Sequence, residues 1–111
     1  MSDARYQVQL TESAERDVDS VLAWFAEQKA REAGSIWVVQ LLKKITSLES
    51  RPERCPLAEE SVELDIQIRE ILFGRRQHKF RILFRIAGHQ VFVIRIWRAS
   101  RGTINSDSLR S

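Results

Sequence analysis

Apolar and cationic side chains alternate through residues 79–101, in two segments that a short turn separates. The apolar side chains fall on even positions, namely Phe80, Ile82, Phe84, Ile86, Phe92, Ile94 and Ile96. The odd positions carry Lys79, Arg81, Arg85, Arg95, Trp97 and Arg101. Because successive side chains of a strand point to opposite faces, the pattern predicts a β-hairpin with one core face and one open, cationic face.

The same alternation constrains the hairpin turn. Directly opposed residues of an antiparallel pair share a face, so even core positions on one strand must oppose even positions on the other. A two-residue loop of Gly88 and His89 breaks this rule, whereas a three-residue loop over 88–90 obeys it. The resulting register sets Ile82 opposite Ile96, Phe84 opposite Ile94, Arg81 opposite Trp97 and Arg85 opposite Val93.

Two helices are predicted before the hairpin. After a short strand over 6–10, Thr11 offers an N-cap, and apolar residues from Ala14 to Phe25 recur at helical spacing. This first helix should fade around residues 28–32. A second helix should begin near residues 33–36 and end before Pro52, and its wider apolar stripe predicts deeper burial. The short link between them indicates an antiparallel helical hairpin.

The remaining segments complete the predicted fold. Residues 51–65 lack periodicity and are predicted as an acidic loop that crosses the domain, and residues 66–73 are predicted as a strand. The order β-α-α-β-β-β indicates the α+β class, with a two-helix hairpin packed on one face of a four-stranded, mainly antiparallel sheet. We assign residues 1–101 to this single domain and residues 102–111 to a polar C-terminal tail with at most one helical turn.

Composition narrows the classes of function. A charged share of 30% and a hydrophobic share of 43% are typical of a globular chain, and 111 residues suffice for one domain. The formal net charge is only +3, but no acid falls between Glu70 and Asp107, so the positive charge concentrates in the hairpin. The single cysteine excludes an intramolecular disulfide, and no apolar run approaches the ~20 residues of a membrane span. We expect a cytoplasmic protein with no cofactor, no metal and no membrane partner.

Five segments in this order resemble the RelE/ParE superfamily of bacterial toxins, and the ParE-like branch most. They are Tyr6–Thr11 with Ala14 and Asp17, Pro52–Ala58, Ile68–Gly74, Phe80–Phe84 and Arg98–Arg101. The resemblance covers nearly the whole chain. It implies the toxin of a type II toxin–antitoxin system, inactive while bound by a cognate antitoxin that is usually encoded beside it, and a toxin–antitoxin hetero-oligomer is consistent with it.

The resemblance leaves the target open, because both branches share the fold. ParE-like toxins inhibit DNA gyrase, whereas RelE-like toxins cleave mRNA in the ribosome. A third alternative is a non-toxic member that only binds an antitoxin. The ParE-like motifs favour gyrase inhibition. The only tyrosine, Tyr6, lies at the wrong end of the chain for the RelE-like catalytic set, and arginine is a poor general base, so enzymatic activity is left undecided.

Candidate site residues follow from the hairpin and from the resemblance. If the protein is a nuclease, the candidate catalytic residues are Arg81, Arg69 and Arg98. The candidate antitoxin- or target-binding residues are Arg81, Leu83, Arg85, Arg95, Trp97, Arg98 and Arg101. Arg81 has a structural alternative, in which it stacks on Trp97 and pairs with an acid of the 59–65 loop. Trp24 and Trp37 are assigned to packing. Arg81→Ala is expected to weaken toxicity more than Arg75→Ala.

Overall fold

Four strands form one mixed sheet, in which the spatial order of the strands differs from their chain order. The computed structural model describes residues 5–109, apart from the side chains of Gln77 and Ser106. The strands are β1 (Gln7–Leu10), β2 (Arg69–Phe73), β3 (Phe80–Ala87) and β4 (Gln90–Arg98). They lie in the order β1-β4-β3-β2, with β1 parallel to β4 and the other neighbours antiparallel. The predicted α+β class with a mainly antiparallel sheet is confirmed.

Two long helices, α1 (Glu12–Glu27) and α2 (Arg31–Thr46), form the predicted hairpin. Thr11 is the N-cap of α1, since its Oγ1 accepts a hydrogen bond of 3.2 Å from the backbone N–H of Ala14. This bond satisfies one of the backbone donors that a helix leaves unpaired at its first turn. The N-cap predicted from the sequence is confirmed.

The link between the helices is shorter than predicted. Lys29 has a φ of 57° and so takes the left-handed conformation that glycine usually supplies after a helix. The Lys29 N–H donates to the Ala26 carbonyl, and the Ala30 N–H donates to the Phe25 carbonyl, which together form a Schellman motif. Because this tight reversal uses few residues, α2 begins at Arg31 rather than at 33–36.

Both long helices cover the first face of the sheet. The buried side chains of this first core are Ala14, Leu41, Ile45 and Leu48 from the helical side, Cys55 from the segment that follows, and Phe80, Ile82, Phe84, Val91, Val93 and Ile96 from the sheet. Burial of this apolar surface is the main term that stabilises the fold. The predicted deeper burial of α2 is confirmed, since α2 buries Gly34, Leu41 and Ile45 whereas α1 buries Ala14. One residue of its apolar stripe, Leu42, is nevertheless 47% exposed.

The second face of the sheet is also covered, although the sequence predicts it to be open. Two short segments lie on it. The first is residues 58–68, which include α3 (Glu60–Leu64), and the second is residues 102–109, which include α4 (Ser106–Leu109). The second core contains Ala58, Leu64, Ile68, Leu83, Ile94, Trp97 and Ile104. The prediction of an open face is therefore wrong where these side chains pack, and the loop prediction is wrong for α3.

The hairpin turn between β3 and β4 has two residues rather than the predicted three. Ala87 pairs with Gln90, so only Gly88 and His89 form the loop. Gly88 has a φ of 61°, the positive angle that a type II′ turn requires at its first central position.

A bulge at Ile94 restores the parity that the two-residue turn breaks. Phe84 pairs with Val93 while Leu83 pairs with Arg95, so Ile94 is one extra residue in β4. The predicted pairs are correct on the side of the bulge away from the turn, and they are wrong between the turn and the bulge. The pairs Ile82–Ile96 and Arg81–Trp97 are confirmed, and the pairs Phe84–Ile94 and Arg85–Val93 are wrong.

Candidate functional site

Arg81 lies at the centre of a buried network on the second face, instead of on an open surface. Its residue exposure is 8%. The guanidinium donates to both carboxylate oxygens of Glu60 at 2.6 and 2.9 Å, and to both of Glu70 at 2.9 and 3.4 Å. A fifth bond of 3.1 Å reaches the Gly102 carbonyl. The predicted ion pair of Arg81 with an acid of residues 59–65 is confirmed by Glu60. The predicted stacking of Arg81 on Trp97 is wrong, because the guanidiniums over that ring are those of Arg95 and Arg101.

The network joins four parts of the chain. Arg81 comes from β3, Glu70 from β2 and Glu60 from the first position of α3. Glu60 also accepts a hydrogen bond of 2.9 Å from the backbone N–H of Ile104, and the Trp97 Nε1–H donates to the Gly102 carbonyl at 3.1 Å. Arg81 therefore links both α3 and the C-terminal segment to the sheet, and the Trp97 bond adds a second link to the C-terminal segment.

All five N–H donors of the Arg81 guanidinium are used within the protein. An arginine carries five such donors, and the structure gives Arg81 five hydrogen bonds. A phosphate could bind this guanidinium only by displacing one of the two carboxylates or the Gly102 carbonyl that already accept its hydrogen bonds. The arrangement therefore fits a structural residue better than a catalytic one.

Electrostatics in the network follow from burial and hydrogen bonding. Burial raises the pKa of Glu60, but hydrogen bonds from Arg81 and from the backbone N–H of Ile104 outweigh burial and lower the pKa below its ordinary value. The hydrogen bond to Glu60 raises the pKa of Arg81, and the bond to Glu70 adds to this, against the opposing effect of burial. Both groups are therefore charged at neutral pH.

The lowered pKa of Glu60 predicts acid lability. Its contribution to stability is complete above the ordinary carboxyl pKa and is lost as the pH falls through the lower pKa of the folded state. The melting temperature of the protein is therefore expected to fall between about pH 5 and about pH 2. Glu60→Gln should melt at a lower temperature at pH 7 and show a smaller fall in acid. An equal fall in both proteins, measured by circular dichroism, would contradict this assignment.

The three candidate catalytic arginines do not meet. Arg81 lies on the second face, whereas Arg98 opposes Phe80 and Arg69 opposes Phe84, whose side chains belong to the first face. Arg69 donates to the Cys55 and Glu53 carbonyls at 2.7 and 3.2 Å. Arg69 and Arg98 are also separated by the length of four residues of β3, about 13 Å. The described residues therefore do not assemble these arginines around one phosphate.

The candidate binding residues divide into buried and exposed groups. Leu83 has no exposed surface and Trp97 is 8% exposed, so the prediction that they are accessible is wrong. Arg95 pairs with Asp17 of α1, with N–O distances of 2.7 and 2.9 Å. Arg85 and Arg101 are exposed, and their guanidiniums lie over the rings of Phe92 and Trp97, at 5.1 and 3.6 Å from the ring centres.

Several residues of these networks are absent from the candidate site that the sequence predicts. Glu70 interrupts the apolar alternation of its strand, and this interruption was the available signal that it has a partner. Asp17 lies one position before the apolar stripe residue Val18, and nothing in the neighbouring sequence indicates that its partner is Arg95. Ile104 is one apolar residue in a polar tail. Such partners come from distant parts of the chain, so local patterns do not identify them.

Exposed cations gather at one end of the sheet, where β3 begins and β4 ends. We call this the basic end and define it by the exposed Arg75, Arg76, Lys79 and Arg101 together with the half-buried Arg98. The turn before β3 depends on Gly74, whose φ is 98° and where an added Cβ would lie 2.2 Å from the His78 carbonyl oxygen. Within residues 5–109, no three His, Cys, Asp or Glu side chains are grouped so that they could hold a metal.

Comparison with known proteins identifies the family. The family model for the ParE toxin of the type II toxin–antitoxin system, parDE, matches residues 8–102. The chain belongs to the ParE toxin family. It is also similar in structure to a chain of the chromosomal ParDE TA system from P. aeruginosa, with a TM-score of 0.70 and 18% sequence identity over 86% of this chain and 97% of that one. No curated protein sequence matches it.

The fold and the family agree with the ParE-like branch of the resemblance described above. At 18% identity the structural likeness concerns the fold, and the family model supplies the membership in type II toxins. Among the helices of the described residues, none has the length and apolar character needed to cross a membrane.

Proposed function

We propose that this ParE-family toxin binds and inhibits DNA gyrase in the cytoplasm, and that a cognate antitoxin neutralises it. The observation that carries the proposal is the complete engagement of Arg81 by Glu60, Glu70 and the Gly102 carbonyl. Cleavage of RNA needs a cation that is free to stabilise the charge on the phosphate during the reaction. Inhibition by binding needs only a complementary surface, so it agrees better with an arginine that is fully paired.

The basic end is the surface that we assign to the gyrase contact. Residues 71–106 contain no acid, so its cations have no carboxylate neighbour in this stretch of sequence. Arg75, Arg76 and Lys79 are exposed at the start of β3, and Arg101 is exposed just after β4. Complementary charge accelerates association and selects the partner, so this end suits an acidic surface of the target.

Induction of the gene in growing cells tests the target. We expect growth arrest with a DNA-damage response, while the 5′ ends of cellular mRNAs remain those of uninduced cells. The purified protein is expected to slow supercoiling of relaxed plasmid by purified gyrase. Co-expression of the reading frame beside the toxin gene should restore growth, because that position usually encodes the antitoxin.

A matched control separates binding from other causes of arrest. Arg75→Glu with Arg76→Glu reverses two charges of the basic end and should weaken gyrase inhibition by at least about tenfold, whereas Arg31→Glu, an exposed change at the start of α2, should leave it unchanged. Cleaved mRNA without DNA damage would support the RelE-like alternative instead. Normal growth on induction, with folded protein present, would support the non-toxic alternative.

A further inference from the structure

A small cavity opens beside the basic end, between the helical hairpin and the sheet. Its volume is about 200 Å³. We call it the aromatic pocket and define it by Trp24, Phe25, Trp37, His78, Phe80 and Arg98. Neither of its tryptophans belongs to the candidate binding residues of the hairpin. The pocket lies on the first face, away from the Arg81 network.

The rings that line the pocket form one continuous apolar wall. Trp24 and Phe25 lie 5.2 Å apart in an edge-to-face arrangement, and Trp37 lies 6.1 Å from Phe25 and 5.3 Å from Phe80. Trp24 remains 39% exposed, which is a large apolar surface in contact with water. A ligand that covered this wall would gain the free energy of removing aromatic surface from water.

Two polar groups at the pocket, the Arg98 guanidinium and the Trp37 indole N–H, are hydrogen-bond donors. The Arg98 guanidinium lies 5.6 Å from the ring centre of Trp24 and 5.1 Å from that of Phe80, and within residues 5–109 it has no ion pair. The Trp37 Nε1–H is buried and has no hydrogen-bond partner among the same residues. The buried indole N–H of Trp37 and the guanidinium of Arg98 favour a ligand that brings hydrogen-bond acceptors, and the charge on Arg98 favours a carboxylate.

The size of the cavity limits the ligand to one large side chain. Pockets for small molecules and cofactors usually measure about 300–1,000 Å³, more than this cavity offers. Single aromatic or aliphatic anchors that fill a preformed pocket are typical of protein interfaces, with charged groups at the rim. The cavity is therefore built for an anchor residue from another protein.

We propose that the aromatic pocket receives one large apolar side chain of the antitoxin, with a carboxylate of the same segment on Arg98. The proposal rests on the proposed function, because it takes the antitoxin as the partner. The cations of the basic end beside the pocket make the occupant an acidic amphipathic segment. Trp24 and Arg98 then become positions that determine which antitoxin is accepted.

The first test uses N-acetyl-tryptophan, which carries an indole and a carboxylate, and N-acetyl-tryptophanamide, which carries the same indole without the charge. The indole N–H signals of Trp24, Trp37 and Trp97 report binding in nuclear magnetic resonance spectra. We expect the acid to shift the signals of Trp24 and Trp37 saturably and to leave that of Trp97 in place. Arg98→Gln should remove the preference for the acid. Equal shifts with both compounds, or shifts at Trp97 alone, would overturn the proposal.

The second test measures neutralisation in cells with the reading frame beside the toxin gene. For Trp24→Ala and for Arg98→Gln, the antitoxin dose that restores growth, scaled to the toxicity of each variant, should rise by at least about tenfold. Leu72→Ala is the matched control, since Leu72 is 50% exposed and lies on the other face, opposite Arg81. An unchanged dose for Arg98→Gln would overturn the proposal even if Trp24→Ala failed to fold. The gyrase assay on the unaltered protein tests the proposed function separately.

Discussion

Replacement of Arg81 by alanine is expected to lower the free energy of unfolding by about 3–5 kcal/mol, the usual cost of removing one partner from a buried ion pair. The change leaves Glu60 buried with its charge and without its cation. It also leaves the Gly102 carbonyl without one of its two donors. Since small domains are stable by only about 5–15 kcal/mol, the variant should unfold at much lower urea concentration, as fluorescence will measure.

Three further variants show whether the loss arises from the network. Arg81→Lys should have an intermediate free energy of unfolding, because an ammonium group keeps the charge but cannot donate two parallel hydrogen bonds to each of two carboxylates. Arg81→Ala combined with Glu60→Gln should cost less than the two single changes together, since no buried charge is left unpaired at Glu60. Arg75→Ala is the control, because Arg75 is exposed. An Arg81→Ala protein as stable as Arg75→Ala would show that the network does not hold the fold.

The buried position of Arg81 changes the reason why Arg81→Ala is expected to weaken toxicity more than Arg75→Ala. From the sequence, Arg81→Ala is expected to weaken toxicity more than Arg75→Ala, because the alternation predicts that Arg81 lies on an open face. The structure predicts the same order for another reason, the loss of the α3 and C-terminal contacts with the sheet. The two explanations differ in the amount of folded protein, which the structural one predicts to fall together with toxicity.

The alternation of side chains was enough to predict the strands, but it could not predict the hairpin register throughout. The register beyond the bulge is the same for two arrangements. One is a three-residue loop, and the other is a two-residue loop followed by a bulge of one residue. Parity therefore gave the right partner for Ile82 and for Arg81, which lie beyond the bulge, and the wrong partner for Phe84. Only the three-dimensional pairing shows that the extra residue is Ile94.

The cover of the second face was harder to predict, because it comes from segments without periodicity. Leu64 belongs to a helix of five residues, and Ile104 is one buried residue in a polar stretch. Short pieces of this kind carry too few apolar positions for a helical or strand pattern to appear. The sequence indicates an acidic loop and a cationic strand, and it allows an ion pair between Arg81 and an acid of that loop. It does not identify Glu60 as the acid.

Closure of both faces changes where a partner can bind. A sheet with an open cationic face would offer a broad surface, and here that surface is occupied by the protein's own α3 and C-terminal segment. The exposed cations lie instead at the basic end, next to the aromatic pocket. Contact with a target and contact with an antitoxin at neighbouring positions would exclude each other sterically, which gives neutralisation a physical basis.

Replacement of Asp17 by alanine is expected to lower the free energy of unfolding by about 3 kcal/mol. The Asp17 carboxylate accepts two hydrogen bonds from Arg95 and one of 2.9 Å from the backbone N–H of Ile96. Strand β1 pairs with β4 only as far as Val93, so α1 covers the remaining edge of β4 and Asp17 takes the place of a strand partner. The change therefore leaves both a cation and a backbone donor unpaired in a largely buried position.

The reverse truncation should cost less, and this asymmetry is the sharper test. Arg95→Ala removes the cation but leaves Asp17 bonded to the Ile96 N–H, so it should destabilise by at least about 1 kcal/mol less than Asp17→Ala. Asp19→Ala, at an exposed position of the same helix, is the control for loss of charge and of helix contacts. Equal losses for Asp17→Ala and Arg95→Ala, measured by urea unfolding, would mean that only the ion pair matters. A larger loss for Asp17→Ala would show that the edge of β4 is stabilised by a side chain where β1 ends.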